Sequence, residues 1–158
     1  MLMLKEENPV KALKRMEELG ALKYVLPGVE LNSDIIKKLE KARENYNFWK
    51  RDISEEKIEL WLIYFFCIVG RLEKIKIQRM CKKLMFKQKA MDKINYIHLN
   101  LDSITEFISQ KNRLLPSSIY VKLKDVLNEV LFLVVMESKS DNSKDRIISF
   151  LKNYKKES

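Results

Sequence analysis

The stretch Leu60-Trp-Leu-Ile-Tyr-Phe-Phe-Cys-Ile-Val69 is the most apolar part of this sequence and the strongest guide to its fold. Its ten residues carry no charge, Glu59 precedes them, and Gly70-Arg71 follows. A helix needs about 20 apolar residues to cross a bilayer, so this run is too short to span one. A helix that is apolar on all sides is typical of a domain core. We therefore expect a buried central helix in a soluble, cytoplasmic protein without a membrane partner.

The composition supports a helical globular protein. Hydrophobic residues make up 46% of the 158 residues, too many for a disordered chain. Only three glycines and three prolines are present, which argues against a sheet protein with many tight turns and excludes a Gly-rich phosphate loop. We predict an all-α fold, an irregular bundle of six to eight helices. Residues 1–158 are expected to form one unit, with a division into N-terminal helices 1–70 and basic C-terminal helices 71–158 around one shared core left open.

Apolar spacing and capping residues mark the expected helices. Asn8 and Pro9 begin the first helix, Gly20 ends it, and a short apolar turn closes at Pro27-Gly28. Further helices are expected from Asn32 or Ser33, from Ser54 (followed by Glu55 and Glu56) to Val69, over 72–99 as one helix or a bent pair, from Asp102 or Ser103 to about Arg113, from Ser117 or Ser118 to about Glu137, and over 144–154.

No group of residues in the sequence resembles a catalytic or metal site. The single histidine, His98, has no cysteine or acidic partners at ligand spacing, so we predict a structural or surface role for it. Cys67 and Cys81 do not form a CxxC pair and are expected to be reduced core thiols. We therefore expect no catalytic residue, no metal and no cofactor in this chain.

Positive charge is concentrated in residues 71–93. The whole chain has a net charge of +9, and this segment holds nine basic residues against Glu73 and Asp92, a net of +7. On one continuous helix, the basic residues would line both edges of an apolar stripe that contains Ile77, Met80 and Cys81. The candidate RNA-binding residues are Arg71, Lys74, Lys76, Arg79, Lys82, Lys83, Lys87, Lys89 and Lys93.

Charge alone leaves the partner open. Nucleic-acid phosphates would bind such edges without sequence specificity and with strong salt dependence. The alternative is a helical protein–protein interaction or assembly module with a merely solvated basic face. Tyr46, Phe48, Trp49 and Tyr96 lie near basic residues and are able to stack on bases, but core or rim packing is the favoured interpretation.

Several stretches resemble, in the same order, the bacterial tRNA nucleotidyltransferase and poly(A) polymerase family, which contains the CCA- and A-adding enzymes. The opening Asn8-Pro-Val-Lys-Ala-Leu-Lys-Arg-Met-Glu-Glu-Leu-Gly-Ala-Leu-Lys-Tyr-Val-Leu-Pro27 resembles the stretch after the family's nucleotidyltransferase core. Later helices of the family are similar to Trp61-Leu-Ile-Tyr-Phe-Phe66, Gln78-Arg-Met-Cys-Lys-Lys-Leu84, Ser118-Ile-Tyr-Val-Lys-Leu-Lys-Asp-Val-Leu-Asn-Glu-Val-Leu131 and Asp145-Arg-Ile-Ile-Ser-Phe-Leu-Lys-Asn-Tyr154.

The resemblance covers almost the whole chain and implies the helical C-terminal region of such an enzyme. In the family this region holds the upper part of the tRNA while a catalytic head adds nucleotides at the 3′ end. The head's Gly-Ser motif and paired metal-binding aspartates are not in this sequence, so no catalytic residue carries over. The resemblance implies a helical region that is noncatalytic alone, with tRNA or another RNA and a nucleotidyltransferase head as partners. The basic residues from Arg71 to Lys93 then become candidate contacts to the tRNA backbone.

Overall fold

Helices make up most of the computed structural model, which describes residues 2–155. Within this range there are nine α-helices and no β-strand, which confirms the predicted all-α class. The α-helices are α1 (Pro9–Glu18), α2 (Leu22–Val25), α3 (Ser33–Phe48), α4 (Leu60–Val69), α5 (Lys74–Lys83), α6 (Gln88–Ile108), α7 (Pro116–Leu123), α8 (Asn128–Glu137) and α9 (Asp141–Ser149). A 3₁₀ turn covers Leu2–Lys5, and π-helical turns cover Trp49–Ile53 and Phe150–Tyr154. None of the described helices combines the length and the hydropathy that crossing a bilayer requires.

The helices group into two compact units, and the first contains the apolar run Leu60–Val69. This unit comprises residues 2–44 and 59–95. Residues 62–66 of α4 are all buried, as expected for its central helix. The ring of Phe86 packs edge-on against Trp61 at 5.3 Å and against Phe65 at 5.0 Å between centroids. The 3₁₀ turn at Leu2–Lys5 contacts α1 and α4, so the start of the described chain helps to cover this core.

The second unit comprises residues 45–58 and 96–155, and its central helix is α8. Every residue of α8 from Glu129 to Met136 is buried. Trp49 is also buried and packs edge-on against Phe132, with 5.4 Å between ring centroids. Two of the three boundaries between the units fall inside α3 and α6, and the third lies between residues 58 and 59, just before α4. The single shared core and the division at residue 70 stay predictions.

The first helix agrees closely with its predicted signals, because both of its ends depend on local chemistry. Asn8 lies at the N-cap position, although its side chain forms no capping hydrogen bond within the described residues, and Pro9 is in the first turn, where the missing N–H of proline has no intrahelical partner to lose. Gly20 has a φ of +67°, the left-handed conformation that ends a helix.

The start predicted for the central apolar helix is wrong. This helix, α4, begins at Leu60 and not at Ser54. The Ser54 hydroxyl accepts a 3.3 Å bond from the Glu56 N–H in a local turn, which competes with helix initiation. The Glu56 carboxylate accepts hydrogen bonds from the Asn128 amide at the start of α8 and, at 2.9 Å, from Lys155, so its charge is engaged within the second unit rather than at the start of α4.

A helix start predicted at Asp102 or Ser103 is also wrong, because both residues lie inside α6. The Ser103 hydroxyl donates to the Asn100 carbonyl at 3.1 Å, which satisfies it without ending the helix. The helix stops at Ile108 rather than near residue 113, and the Ile108 carbonyl accepts a 2.6 Å hydrogen bond from the Arg146 guanidinium.

The structure divides two long predicted helices and adds the short helix α2 in the predicted apolar turn, so the described residues contain nine α-helices rather than six to eight. The segment 72–99 forms α5 and α6, the bent pair left open, and the segment 117–137 forms α7 and α8 with residues 124–127 between them. Pro116 is the first residue of α7, ahead of the predicted serine caps, and Leu115 is its N-cap. The last helix begins at Asp141, three residues early, where a carboxylate suits the positive helix end.

Candidate nucleic-acid interface

The basic surface is built on α5, whose inner face is anchored in the core of the first unit. Ile77, Met80 and Cys81 recur at helical spacing, and each is only 2% exposed. Burial raises the pKa of the Cys81 thiol to about 11, so the group stays protonated at neutral pH and behaves as an apolar side chain. Cys67 on α4 is half-buried. This anchoring fixes which side of α5 faces solvent.

The outer side of α5 carries most of the predicted basic residues. Lys76, Arg79 and Lys83 lie three and four residues apart, so they share one exposed face of the helix. Lys82 lies beside Arg79 on the same exposed side, and Lys74 lies at the other edge of the buried stripe. The structure therefore brings at least four cationic groups together on one helix face.

The helix ends too early for two uninterrupted basic edges to run over residues 71–93. Helix α5 stops at Lys83, and α6 begins at Gln88. Met85, in the turn between them, has a φ of +52° and changes the direction of the chain. Lys87 and Lys89 consequently extend the exposed charge from the turn and from the start of α6 rather than from α5.

Three of the predicted residues bind other groups of the first unit. Arg71 pairs with Asp34 at 2.8 Å, and Lys93 pairs with Glu59 at 2.8 Å. Lys83 donates to the backbone carbonyl of Tyr24 at 2.5 Å.

These contacts single out Lys93, whose side chain is only 20% exposed, as the least accessible of the nine predicted residues. Apart from Arg71, Lys83 and Lys93, the predicted residues have solvated side chains and form no ion pair within residues 2–155. These residues are Lys74, Lys76, Arg79, Lys82, Lys87 and Lys89.

An exposed aromatic residue that the sequence analysis did not single out lies beside this face. Tyr24 is 66% exposed, and the Lys23 ammonium lies 5.1 Å from the centroid of its ring. The bond from Lys83 brings Tyr24 to α5, a contact across 59 residues that local patterns do not reveal. By contrast, Trp49, which the sequence placed among the possible stacking residues, is 2% exposed and belongs to the core.

The remaining chemical candidates are dispersed. His98 is half-buried on α6. Within residues 2–155, no three His, Cys, Asp or Glu side chains are grouped in a way that suits a metal ion.

Comparison with known sequences identifies one relative of interest. The chain is 25% identical over 144 residues to an A-adding tRNA nucleotidyltransferase of Geobacter sulfurreducens. The matched region is 89% of this chain but only 16% of that protein, so this chain corresponds to a small part of its relative. No protein-family model matches the chain.

Solved structures share the fold over nearly the whole chain. A tRNA-processing enzyme in an apo form superposes with a TM-score of 0.79 and 19% identity, covering 96% of this chain and 42% of the enzyme. A Thermotoga maritima CCA-adding enzyme complexed with tRNA gives a TM-score of 0.64 at 17% identity, covering 94% of this chain and 35% of the enzyme. Together with the sequence match, these similarities confirm the resemblance to the C-terminal region of the tRNA nucleotidyltransferase family.

Proposed function

We propose that this chain binds tRNA through the exposed basic surface of α5 and the start of α6, and that it contributes no catalytic group of its own. Its role is to hold the RNA while a nucleotidyltransferase head, a separate or additional part, adds nucleotides to the 3′ end. The proposal includes the cytoplasmic location expected from the sequence.

The observation that carries the proposal is the coincidence of the basic surface with the fold of a tRNA-processing enzyme. The sequence relative is a tRNA nucleotidyltransferase, and one of the matching structures is a CCA-adding enzyme complexed with tRNA. A chain with this fold and a net charge of +9 has the electrostatic character that RNA phosphates require.

The anchored helix gives these charges a fixed arrangement. Because Ile77, Met80 and Cys81 are held in the core, the exposed face of α5 keeps Lys76 and Arg79 in a constant relation to each other. Arginine and lysine on such a face contact phosphates without reading bases, so the shape and the backbone of a folded RNA are what they recognise.

The extent of the similarity supports a separate head. The chain spans 42% or less of the tRNA-processing structures described above and 16% of the sequence relative. This partial coverage supports placing the activity named for those larger proteins in residues beyond the region that this chain matches.

A salt titration with a tRNA transcript tests the proposal. If six basic side chains contact phosphates, the logarithm of the association constant falls with the logarithm of salt with a slope of about −5, which is about a thousandfold loss between 50 and 200 mM. Fluorescence anisotropy of labelled tRNA measures this slope. Absence of binding at 50 mM salt, or binding that is independent of salt, contradicts the proposal.

A further inference from the structure

A second feature of the first unit lies next to the basic surface, where the turn after α5 meets α4 and the 3₁₀ turn. A cleft of about 330 Å³ opens there, which is at the lower end of the range for small-ligand sites. The lining residues that bear on its ligand are Lys5, Trp61, Met85, Phe86, Lys87 and Lys89. We call it the Trp61 cleft.

The aromatic wall of the Trp61 cleft is held in place by packing. Trp61 meets Phe86 nearly perpendicularly, at 85° between ring planes, and Phe86 in turn meets Phe65 of the core. Trp61 itself is only half-buried. The Lys5 ammonium lies 5.8 Å from the centroid of the indole, so one ring face is covered by an exposed cation rather than by core side chains.

Met85, which lines this cleft, occupies a position at the end of a helix where glycine is usual. Helices α1 and α5 end with the same pair of backbone hydrogen bonds, at 2.9 and 2.8 Å around Gly20 and at 3.0 and 3.0 Å around Met85. In α1 the left-handed position holds glycine, whereas in α5 it holds a methionine with a φ of +52°. A residue held in a strained conformation marks a candidate functional position.

The Met85 side chain is 87% exposed, so no buried packing of this side chain offsets the strain. Methionine is a flexible, polarisable side chain that adapts to flat apolar ligands. The Trp61 cleft thus combines an exposed thioether, an accessible indole face and three lysines. The one acidic lining residue, Glu59, is paired with Lys93.

We propose that the Trp61 cleft binds one unpaired nucleotide of the RNA, with the base against Trp61 and Met85 and the flanking phosphates against Lys5, Lys87 and Lys89. This inference rests on the proposed function, because it assumes that an RNA is bound to the same unit. A base is a flat π system that stacks on indole, and it displaces the Lys5 ammonium, which then pairs with a phosphate. An apolar peptide would leave the three lysines of the cleft without an anionic partner.

Fluorescence of Trp61 reports directly on base stacking. Trp49 is the other tryptophan, and Trp49→Phe leaves Trp61 as the sole tryptophan emitter. The indole Nε1 of Trp49 is buried without a partner in the described chain, so phenylalanine removes no hydrogen bond observed there. In this variant, a tRNA transcript is expected to quench the emission of Trp61, while a blunt 12-base-pair RNA duplex binds without quenching it. RNA binding by anisotropy with unchanged Trp61 emission overturns the inference.

A second variant keeps the test independent of the Trp49 substitution. Met85→Gly in the otherwise unchanged chain is expected to weaken tRNA binding by about fivefold to tenfold, because the base loses its apolar contact with the thioether side chain. Duplex binding should stay unchanged. Leu19→Ala is the matched control, because Leu19 is a 65% exposed apolar residue beside the equivalent turn of α1.

The outcomes separate this inference from the proposed function. If tRNA binds with the predicted salt dependence but Met85→Gly and Leu19→Ala bind alike, the Trp61 cleft is not a nucleotide site and the proposed function stands. If the unchanged chain does not bind tRNA at low salt, both fail.

Discussion

Met85 and Gly20 occupy the same backbone position at the ends of two helices, which allows the strain to be measured within one molecule. A non-glycine residue in the left-handed region has its Cβ too close to a backbone oxygen. At Gly20 an added Cβ would meet no heavy atom within 4 Å outside Gly20 and its two chain neighbours, so a larger side chain there is opposed by local backbone strain rather than by crowding from other residues.

We predict opposite effects of exchanging these two residue types. Met85→Gly is expected to raise the free energy of unfolding by about 0.5 kcal/mol, because relief of strain exceeds the added freedom of the unfolded chain. Gly20→Met is expected to lower it by about 1 kcal/mol. Urea denaturation followed by circular dichroism measures both. A Met85→Gly variant that is less stable than the unchanged chain shows that Met85 contributes packing, which its exposure argues against.

The sequence identifies individual basic residues as surface residues, but it does not identify the side chains with which they form ion pairs. Lys89 and Lys93 look equivalent in the sequence, four residues apart on one helix. In the structure Lys93 is paired with Glu59, 34 residues earlier, whereas Lys89 is exposed. Such a pair depends on how α4 and α6 meet, and local patterns carry no information about that.

At the scale of elements, the sequence predicts the burial of a helix that is apolar on all sides. It does not predict where a helix breaks when the apolar pattern continues across the break. Helix α4 is an example of the first kind. The turn at 84–87 is an example of the second, because Met85 is not a residue that ordinarily ends a helix. The continuation of α6 past Asp102 was missed for the converse reason, since capping residues also occur within helices.

Helix α6 depends on a distant residue for its C-terminal end. Arg146 of α9 donates to the carbonyls of Ile108 at 2.6 Å, Gln110 at 2.7 Å and Asn112 at 2.9 Å. Last-turn carbonyls have no partner within their own helix, and bonds to a charged donor are among the stronger hydrogen bonds. This single guanidinium therefore closes both the helix and the loop that follows it.

Removal of this guanidinium should lower the free energy of unfolding more than is usual for a single side chain near the surface. Arg146→Ala is expected to lower the free energy of unfolding by about 2–3 kcal/mol, because a buried carbonyl loses a charged donor. Arg146→Lys should recover only part of the loss, since an ammonium cannot reproduce the planar fork of donors. Urea denaturation compares the three proteins. A loss below about 0.5 kcal/mol for Arg146→Ala indicates that water replaces the guanidinium at these carbonyls.

At the scale of the whole molecule, the helical class follows from composition, whereas the partition into two units does not. Helix α8 also contains an uncharged apolar run, Val130 to Met136, but the prediction of a central helix rests on α4 alone. The prediction of the partner rests on two features. The concentrated charge indicates phosphates, and only the family resemblance indicates tRNA.

A matched charge reversal tests whether tRNA binds to the exposed face of α5. The test variant is Lys76→Glu, Arg79→Glu, Lys82→Glu, all exposed residues of α5 without ion pairs in the described chain. The control is Lys11→Glu, Lys14→Glu, Lys37→Glu, which makes the same charge change on exposed residues of α1 and α3. Circular dichroism verifies that both variants keep their helix content.

Dissociation constants for a tRNA transcript are measured at 100 mM salt for the unchanged chain, the α5 variant and the control. We predict that the α5 variant loses at least about a hundredfold in affinity and that its salt slope falls by about 3, one unit for each lost phosphate contact. The control should lose less than about tenfold. Equal losses in the two variants, or an α5 variant that binds as tightly as the unchanged chain, would contradict the account.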